Sequence, residues 1–600
     1  MLRRFVLVLL GAFGVGALPA QALMVQVVND NAEVLATAMV TAKPAVHPEL
    51  DTSDDSYPAR DRSHWSWIER TRFTRADGYA DFRAEDFAQP VTLRVRAPGY
   101  RDALVGPVDA TAAVAIRMER ISDPLELAES LPANVWAAAV ELGDEALRKR
   151  YKLQCSYCHQ QGSALMRMPR GEELWSAAIE RMVGYGARLP TQDQKAVPTL
   201  LVRAYDDLRA HPAKLGAPTP WAAMLSQAVI EEIPAGDSMS QMHDMLTHSN
   251  GMVYVGDNIQ DRLWEINPQT GEFRVYVLPI VPGDEIGGLI KARLKTFPRH
   301  VDYQALHSLA EARSDGHIFM TPSNQRRMIE FDPATKQFTV HDLSEGLYPH
   351  TVRIDDRDRV WFTLALSNQI GMLDRATGEF TTIDLPTRSL RESFTIWIMD
   401  FLFWLAEYGL PLNKIPIDTM ATGVPLPYGI DVSPKDGSVW FARLHANDIG
   451  RVDPETLAYE LYPVPHMGPR RLRIGADGVV WVGLFAEGAI MRVDPETRAM
   501  TVIPMATQPA GSDTPYSLNV DRRRNIVWVT GTASDTLQAY DVARGDWSVF
   551  PLPRKVSFTR DIEIAEDGSV FSSNGAFPAW HIEDSQPTLI HVIPPWVEVR

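Results

Sequence analysis

At about four times the roughly 150 residues typical of one domain, a chain of 600 residues implies several domains or one large repeat array and excludes a single small core. Hydrophobic residues at 45% and charged residues at 22% exclude a mostly disordered or collagen-like chain. A net charge of -17 excludes nucleic-acid binding through a general positive field, and two cysteines are too few for a disulfide framework.

Residues 1–22 begin Met-Leu-Arg-Arg, continue apolar from Phe5 to Leu18 and end Ala20-Gln21-Ala22. A basic start, a short apolar middle and an A-x-A site predict a secretory signal cut after Ala22. The apolar run is too short and too glycine-interrupted for an anchor, so the mature chain is expected to carry no transmembrane segment and to be periplasmic or otherwise exported.

From residue 23 to about 120, short alternating runs such as Val91-Thr92-Leu93-Arg94-Val95-Arg96 predict a small β-sandwich. Asp77-Gly78-Tyr79-Ala80-Asp81-Phe82 and the run from Val91 to Tyr100 resemble the carboxypeptidase regulatory-like domain, which implies a structural or docking module.

Residues 121–228 change to helical periodicity, with Leu125, Leu127, Ala128 and Leu131 followed by Val135, Ala138, Ala139 and Leu142. Within them lies Cys155-Ser156-Tyr157-Cys158-His159. Two thiols at this spacing can form thioethers to one haem, and the next residue brings an imidazole to the iron. A zinc site would lack two further ligands, and a redox dithiol would want a βαβ context. The segment resembles a c-type cytochrome domain, set apart from the rest by a linker, with one covalent haem c per chain.

The sixth ligand is sought among Met166, Met168, Met182 and Met224. Trp175 and Ile179-Glu180-Arg181-Met182-Val183-Gly184 resemble the pattern of short single-haem domains in quinohaemoproteins, which implies Met182. The other reading of Met182 is a core residue.

Residues 229–600 repeat a unit. Tyr254, Phe319, Trp361, Trp440, Trp481, Trp528 and Phe571 recur in similar strand patterns at spacings of 65, 42, 79, 41, 47 and 43 residues. Four of these fit one propeller blade, and the two long ones fit a blade plus an insertion, giving a seven-bladed β-propeller. The fold class is therefore multidomain: an N-terminal β-sandwich, a small all-α haem domain and the propeller.

Val360-Trp361-Phe362-Thr363 leading to Asn368-Gln369-Ile370-Gly371, its counterpart from Val439 to Gly450, and Asp-Pro-x-Thr at Asp453 and Asp494 resemble the streptogramin lyase (virginiamycin B lyase) propeller. That family's chemistry implies two histidines, a glutamate and magnesium. Pro349-His350 fits the first histidine, but Leu364 stands at the glutamate position and Tyr428 at the second histidine.

Counting back from each aromatic puts His307, His350, Tyr428, Arg470, Tyr516 and Arg560 at the start of an innermost strand, with Met242 or His243 in the first blade. Such a ring at one mouth suits an anionic or phenolic substrate, with arginine fixing charge and histidine or tyrosine moving protons. Of the two insertions, Gly283–His300 is uninformative, and Phe394–Leu405 is apolar nearly all round. As a helix the latter is too short to span a bilayer; it is expected to pack against the cytochrome domain, with covering the channel mouth or lying on a membrane surface as the other readings.

Together these expectations describe an exported c-type haem oxidoreductase whose propeller binds a small organic substrate and whose haem exchanges electrons with an external acceptor or donor protein. A second redox cofactor is unknown. The alternatives are a non-catalytic electron-transfer or binding protein, or a C–O lyase of the streptogramin type.

Overall fold

The computed structural model of the chain describes residues 22–45, 67–87, 90–184, 187–237, 239–282, 304–407, 424–577 and 579–598. The leader lies outside them except for Ala22, which opens the first strand, Ala22–Val28, and pairs with Arg83. Residues 283–300 also lie outside.

Six four-stranded antiparallel sheets and four strands of an eight-stranded one form the seven blades of a propeller. Their innermost strands are Met242–Thr247, Leu306–Glu311, Pro349–Ile354, Pro427–Val432, Pro469–Ile474, Pro515–Asp521 and Thr559–Ile564. The seven recurring aromatics all sit on the second strand of a blade, buried between neighbouring sheets, where their bulk fills the wedge that a radial arrangement opens. Asp-Pro-x-Thr closes the outer hairpins because the aspartate caps its own turn: Asp453 Oδ1 accepts from the amides of Glu455 at 2.9 Å and Thr456 at 3.0 Å.

Blade 7 joins the two ends of the repeat. Its outer strand, Val229–Pro234, precedes blade 1 in the chain and pairs with Thr588–Ile593 near the C-terminus. That outer strand has a second neighbour, because its free edge pairs with Glu69–Phe73 of the N-terminal region. The result is one eight-stranded sheet running from the propeller axis into the N-terminal sandwich, whose other sheet has three strands. The N-terminal region is therefore fused to the propeller through backbone hydrogen bonds, which the sequence alternation does not reveal. Arg554 pins the seam, with Nη2 2.9 Å from Glu69 and Nη1 2.7 Å from Glu232, all three side chains buried.

Between sandwich and propeller the chain forms α1 (Pro124–Ser130), α2 (Ala133–Ala139), α3 (Glu145–Cys155), α4 (Ala164–Arg167), α5 (Glu172–Gly184) and α6 (Thr191–Ala210). Asp123 and Asp144 cap α1 and α3 by accepting from the amides of Glu126 and Leu147. Trp136, Leu147, Trp175, Leu201 and Tyr205 build a core of their own. The expected linker does not hold this segment away. Asn134 donates to Gln508 O and Ser512 Oγ, Gln160 donates to Thr532 O and Asp535, and Lys152 donates to Gly511 O, so it is seated on the propeller loops.

The apolar insertion is helical, α7 (Leu390–Glu407), with Glu392 buried and Ile396, Ile398 and Met399 half-buried. Leu390, Phe394, Trp397 and Phe401 form an exposed stripe. Among the described residues no helix is long and apolar enough to cross a membrane.

Candidate functional site

Every blade carries the same irregularity. The pairing of the first two strands shifts register so that the second and third residues of the inner strand fall in a bulge. A bulge sets extra residues opposite one partner and re-aims their side chains. In four blades a proline opens the strand, Pro349, Pro427, Pro469 and Pro515, a position where its missing N–H is tolerated.

The second residues are His243, His307, His350, Tyr428, Arg470, Tyr516 and Arg560, one from each blade and all buried. All six ring residues expected from the sequence come together, and the first blade contributes His243, with Met242 in the apolar core beside it. Imidazole centroids of His243 and His307, and of His307 and His350, are 4.7 Å apart, and His350 lies 4.0 Å from Tyr428. Arg470 Nη2 donates to Tyr428 Oη at 2.6 Å, the two phenol oxygens of Tyr428 and Tyr516 are 3.3 Å apart, and Arg560 Nη1 donates to Tyr516 Oη at 2.6 Å. Arg560 Nη1 is also 3.3 Å from His243 Nε2, which closes the circle.

The third residues form a layer beneath that sequence reasoning missed. Arg471 donates to Asp244 at 2.6 and 2.9 Å and to Asp561 at 2.8 Å, and Ser517 donates to Asp561 at 3.0 Å. The Arg470-Arg471 pair was the available signal: two adjacent arginines at the start of a buried strand need two sets of partners.

Electrostatics divide the ring. Burial pushes His243, His307 and His350 well below the usual imidazole range, aided at His243 by Arg560 and Arg471, at His307 by His243 and at His350 by His307. These three are neutral at neutral pH. Burial raises Tyr428 well above the usual phenol range despite Arg470. Burial also acts against ionisation of Tyr516, but Arg470, Arg560 and Arg471 outweigh it and leave this phenol lowered. Arg470 sits among four rings, with Cζ 3.6 Å from the Tyr516 centroid and 4.4, 4.7 and 4.8 Å from Tyr428, Phe485 and Tyr157. Its Nε and Nη1 are buried with no hydrogen-bond partner, so this cation keeps two N–H donors for an anionic or carbonyl oxygen.

The roof of the ring is the Cys-x-x-Cys-His segment. Tyr157 stacks on Phe485 at 5.7 Å and lies over Arg470, and its hydroxyl is 3.4 Å from His445 Nε2. Leu153 of α3 joins Tyr428, Phe485 and Tyr516 in one apolar cluster. Cys155 ends α3, Cys158 lies in the turn after it, and both thiols are free and half-buried, with burial pushing Cys155 well up. His159 is half-buried and taken down to about 4 by burial. Its ring faces His581 of blade 7 at 6.2 Å between centroids. Met182 lies half-buried on α5, Met166 is in the helical core, Met168 is exposed, and Met224 packs in the cluster of Phe73 and Trp528. A cavity of about 270 Å³ separates α3 from the propeller loops, lined by Tyr151, Lys152, Gln161, Glu487, Gly511 and Phe558 among others.

His350 meets Thr351 Oγ1 at 3.0 Å, and Leu364 is buried in an apolar cluster with Val352 and Phe362, so the lyase glutamate position holds no acid here. Among the described residues one cluster could hold a metal by ligand count, Asp315, His317 and Glu330 on the outside of blade 2, and Arg375 already neutralises its carboxylates at 2.6 and 3.2 Å.

No family model and no curated protein matches the chain. Solved structures it is similar to include a streptogramin B lyase, 17% identical, covering 61% of this chain and 97% of that one at a TM-score of 0.45. A virginiamycin B lyase from Staphylococcus aureus is 15% identical over 61% and 100%, TM-score 0.45. YCF48 bound to D1 peptide is 11% identical over 62% and 97%, TM-score 0.41. At these values nothing about the chemistry of this chain follows from the likeness.

Proposed function

We propose that this chain is an exported c-type haem oxidoreductase. Haem c is held through thioethers from Cys155 and Cys158 with His159 on the iron, and the propeller ring binds an anionic or phenolic organic substrate. What supports the reading above all is the contact of Tyr157, the residue between the two thiols, with Arg470 of the ring, 4.8 Å from guanidinium carbon to ring centroid. A group carried by those thiols would sit beside the propeller mouth. Helical surroundings and the absence of a three-ligand metal cluster at this segment among the described residues favour haem over zinc or a redox dithiol.

Haem supplies one-electron exchange with the substrate and with an external carrier protein. The chain's own residues do the rest. Arg470 and Arg560 fix negative charge, the lowered phenol of Tyr516 is suited to passing a proton, and His307 and His350, kept neutral by burial, are suited to uncharged hydrogen bonds rather than to receiving a proton. Export follows in this reading from the leader and from covalent haem attachment. A second reading, an electron-transfer protein in which the ring only clamps the haem segment, is favoured by the closed roof over the ring.

Optical spectra of the protein matured in an exporting host separate these. Substrate-dependent haem reduction, lost in Arg470→Ala and Arg560→Ala with haem content unchanged, supports the oxidoreductase. Reduction by a carrier protein alone supports the clamp. Magnesium-dependent turnover without a haem change restores the lyase, against Leu364 and Tyr428.

A further inference from the structure

Within blade 7 the connection from Val570–Asn574 to Thr588–Ile593, residues 575–587, is far longer than a hairpin needs. It leaves the sheet edge and reaches the Cys-x-x-Cys-His segment. Ala579 and Ile582 anchor it, both buried in the cluster that holds Leu153 and Tyr428. The 3-10 turn Ala579–His581 between those anchors carries His581.

The His581 ring stands 6.2 Å from the His159 ring, centroid to centroid, with the planes crossed at 78°. Trp580 packs edge-on against His581 at 3.9 Å, and the amide of Gln161 lies 3.5 Å from His159 Nδ1, so each ring is oriented by its own neighbour. Nε2 of His581 is buried and has no hydrogen-bond partner. Such an orphan is unfavourable unless something fills it.

The geometry points to His581 as the second axial ligand of the iron, opposite His159, which makes the haem bis-histidine ligated through a residue supplied by the propeller. This rests on the reading of Cys155 to His159 as a haem attachment segment. With a metal–imidazole bond of about 2 Å and about 1.2 Å from ring nitrogen to ring centre, two imidazoles across one ion have centroids about 6.4 Å apart. The observed 6.2 Å meets that spacing and accounts for the unpartnered nitrogen. The methionines are otherwise placed: Met166 and Met224 are packed in separate apolar clusters, Met168 is exposed, and Met182 is half-buried on α5. A histidine in place of a methionine keeps the reduction potential low.

The test uses the full chain matured with haem. Acid–acetone extraction and the pyridine haemochrome spectrum first report covalent attachment, independently of the sixth ligand. Wild-type protein is expected to be low-spin in both oxidation states, to lack the weak near-infrared band of methionine-ligated ferric haem, and to refuse carbon monoxide when reduced. His581→Ala is expected to keep its covalent haem, become high-spin, bind carbon monoxide, and return to low-spin on addition of imidazole. His581→Met is expected to stay low-spin, gain the near-infrared band and shift to higher potential, while Met182→Ala keeps the wild-type spectrum. A near-infrared band in wild type that Met182→Ala removes, or a His581→Ala protein that stays low-spin and refuses carbon monoxide, overturns the ligand assignment alone. Absence of covalent haem overturns the haem reading and this inference with it.

Discussion

If the N-terminal sheet and blade 7 are one sheet, Arg554 is where that unity is most exposed to attack. Its guanidinium lies between Glu69 of the N-terminal strand and Glu232 of the blade's outer strand, and the carboxylates are 3% and 1% exposed. Arg554→Met keeps the bulk and removes the charge, leaving two acids in a seam closed to water. Breaking a buried pair from one side costs about 3–5 kcal/mol. A cooperative unit of about 460 residues has an unfolding entropy near 1 kcal/mol/K at roughly 2.1 cal/mol/K per residue, so Tm should fall by about 3–5 °C. Scanning calorimetry measures it. With the arginine gone, both carboxyls are pushed up by burial and by each other, so the penalty is present at pH 8 and shrinks as pH falls and they become neutral. Glu69→Gln with Glu232→Gln in the same variant should recover most of the loss. An unchanged Tm, or a separate early transition of the N-terminal strands by hydrogen exchange with blade 7 intact, refutes the single-sheet reasoning.

Acid is expected to destabilise the ring. His243, His307 and His350 stay neutral in the native chain but protonate near pH 6.5 when unfolded, so their contribution is complete above that pH and is lost as pH falls below it, at up to about 1.4 kcal/mol per pH unit for each; the slope of Tm between pH 7 and 5 checks this. Cys155→Ala with Cys158→Ala should release all colour into acid–acetone, whereas the wild type should keep it with the polypeptide. Arg470→Ala should weaken an anionic ligand by about 1.5–3 kcal/mol, read as a rise in the substrate concentration giving half-maximal haem reduction. Tyr157→Ala removes the stack on Phe485 and the cation–π contact with Arg470 and should loosen the roof by about 1–3 kcal/mol, seen as faster proteolysis around residue 188 with haem content unchanged.

The propeller is legible because each blade must solve the same wedge-filling problem, so Trp440, Trp481, Trp528 and Phe571 return at spacings of 41, 47 and 43 residues. The ring is legible because its residues sit 11 or 12 positions before the blade aromatics, in a bulge that Pro349, Pro427, Pro469 and Pro515 mark. The pairing of Glu69–Phe73 with Val229–Pro234 is not, because strand partners so distant in sequence share no local pattern. The same holds for the contact of Tyr157 with Arg470. Composition does not tell which face of α7 is covered: Phe394 and Trp397 are exposed, whereas Ile396, Ile398 and Met399 are half-buried.

The ring is not chemically uniform. Three consecutive blades supply the neutral imidazoles of His243, His307 and His350, and the next four supply two phenols alternating with two guanidinium groups. Beneath it Arg471 is matched by Asp244 and Asp561, whereas Arg470 above meets only phenol oxygen and ring faces. If the cations served stability alone, a carboxylate at either level would serve equally, and the upper level has none beside Arg470. The unmatched charge lies at the level where Tyr157 closes the mouth and Arg560 borders His243. Positive potential is thus concentrated on the side of the ring that Tyr157 covers, where an oxyanion or a negatively charged edge of a bound group would relieve it.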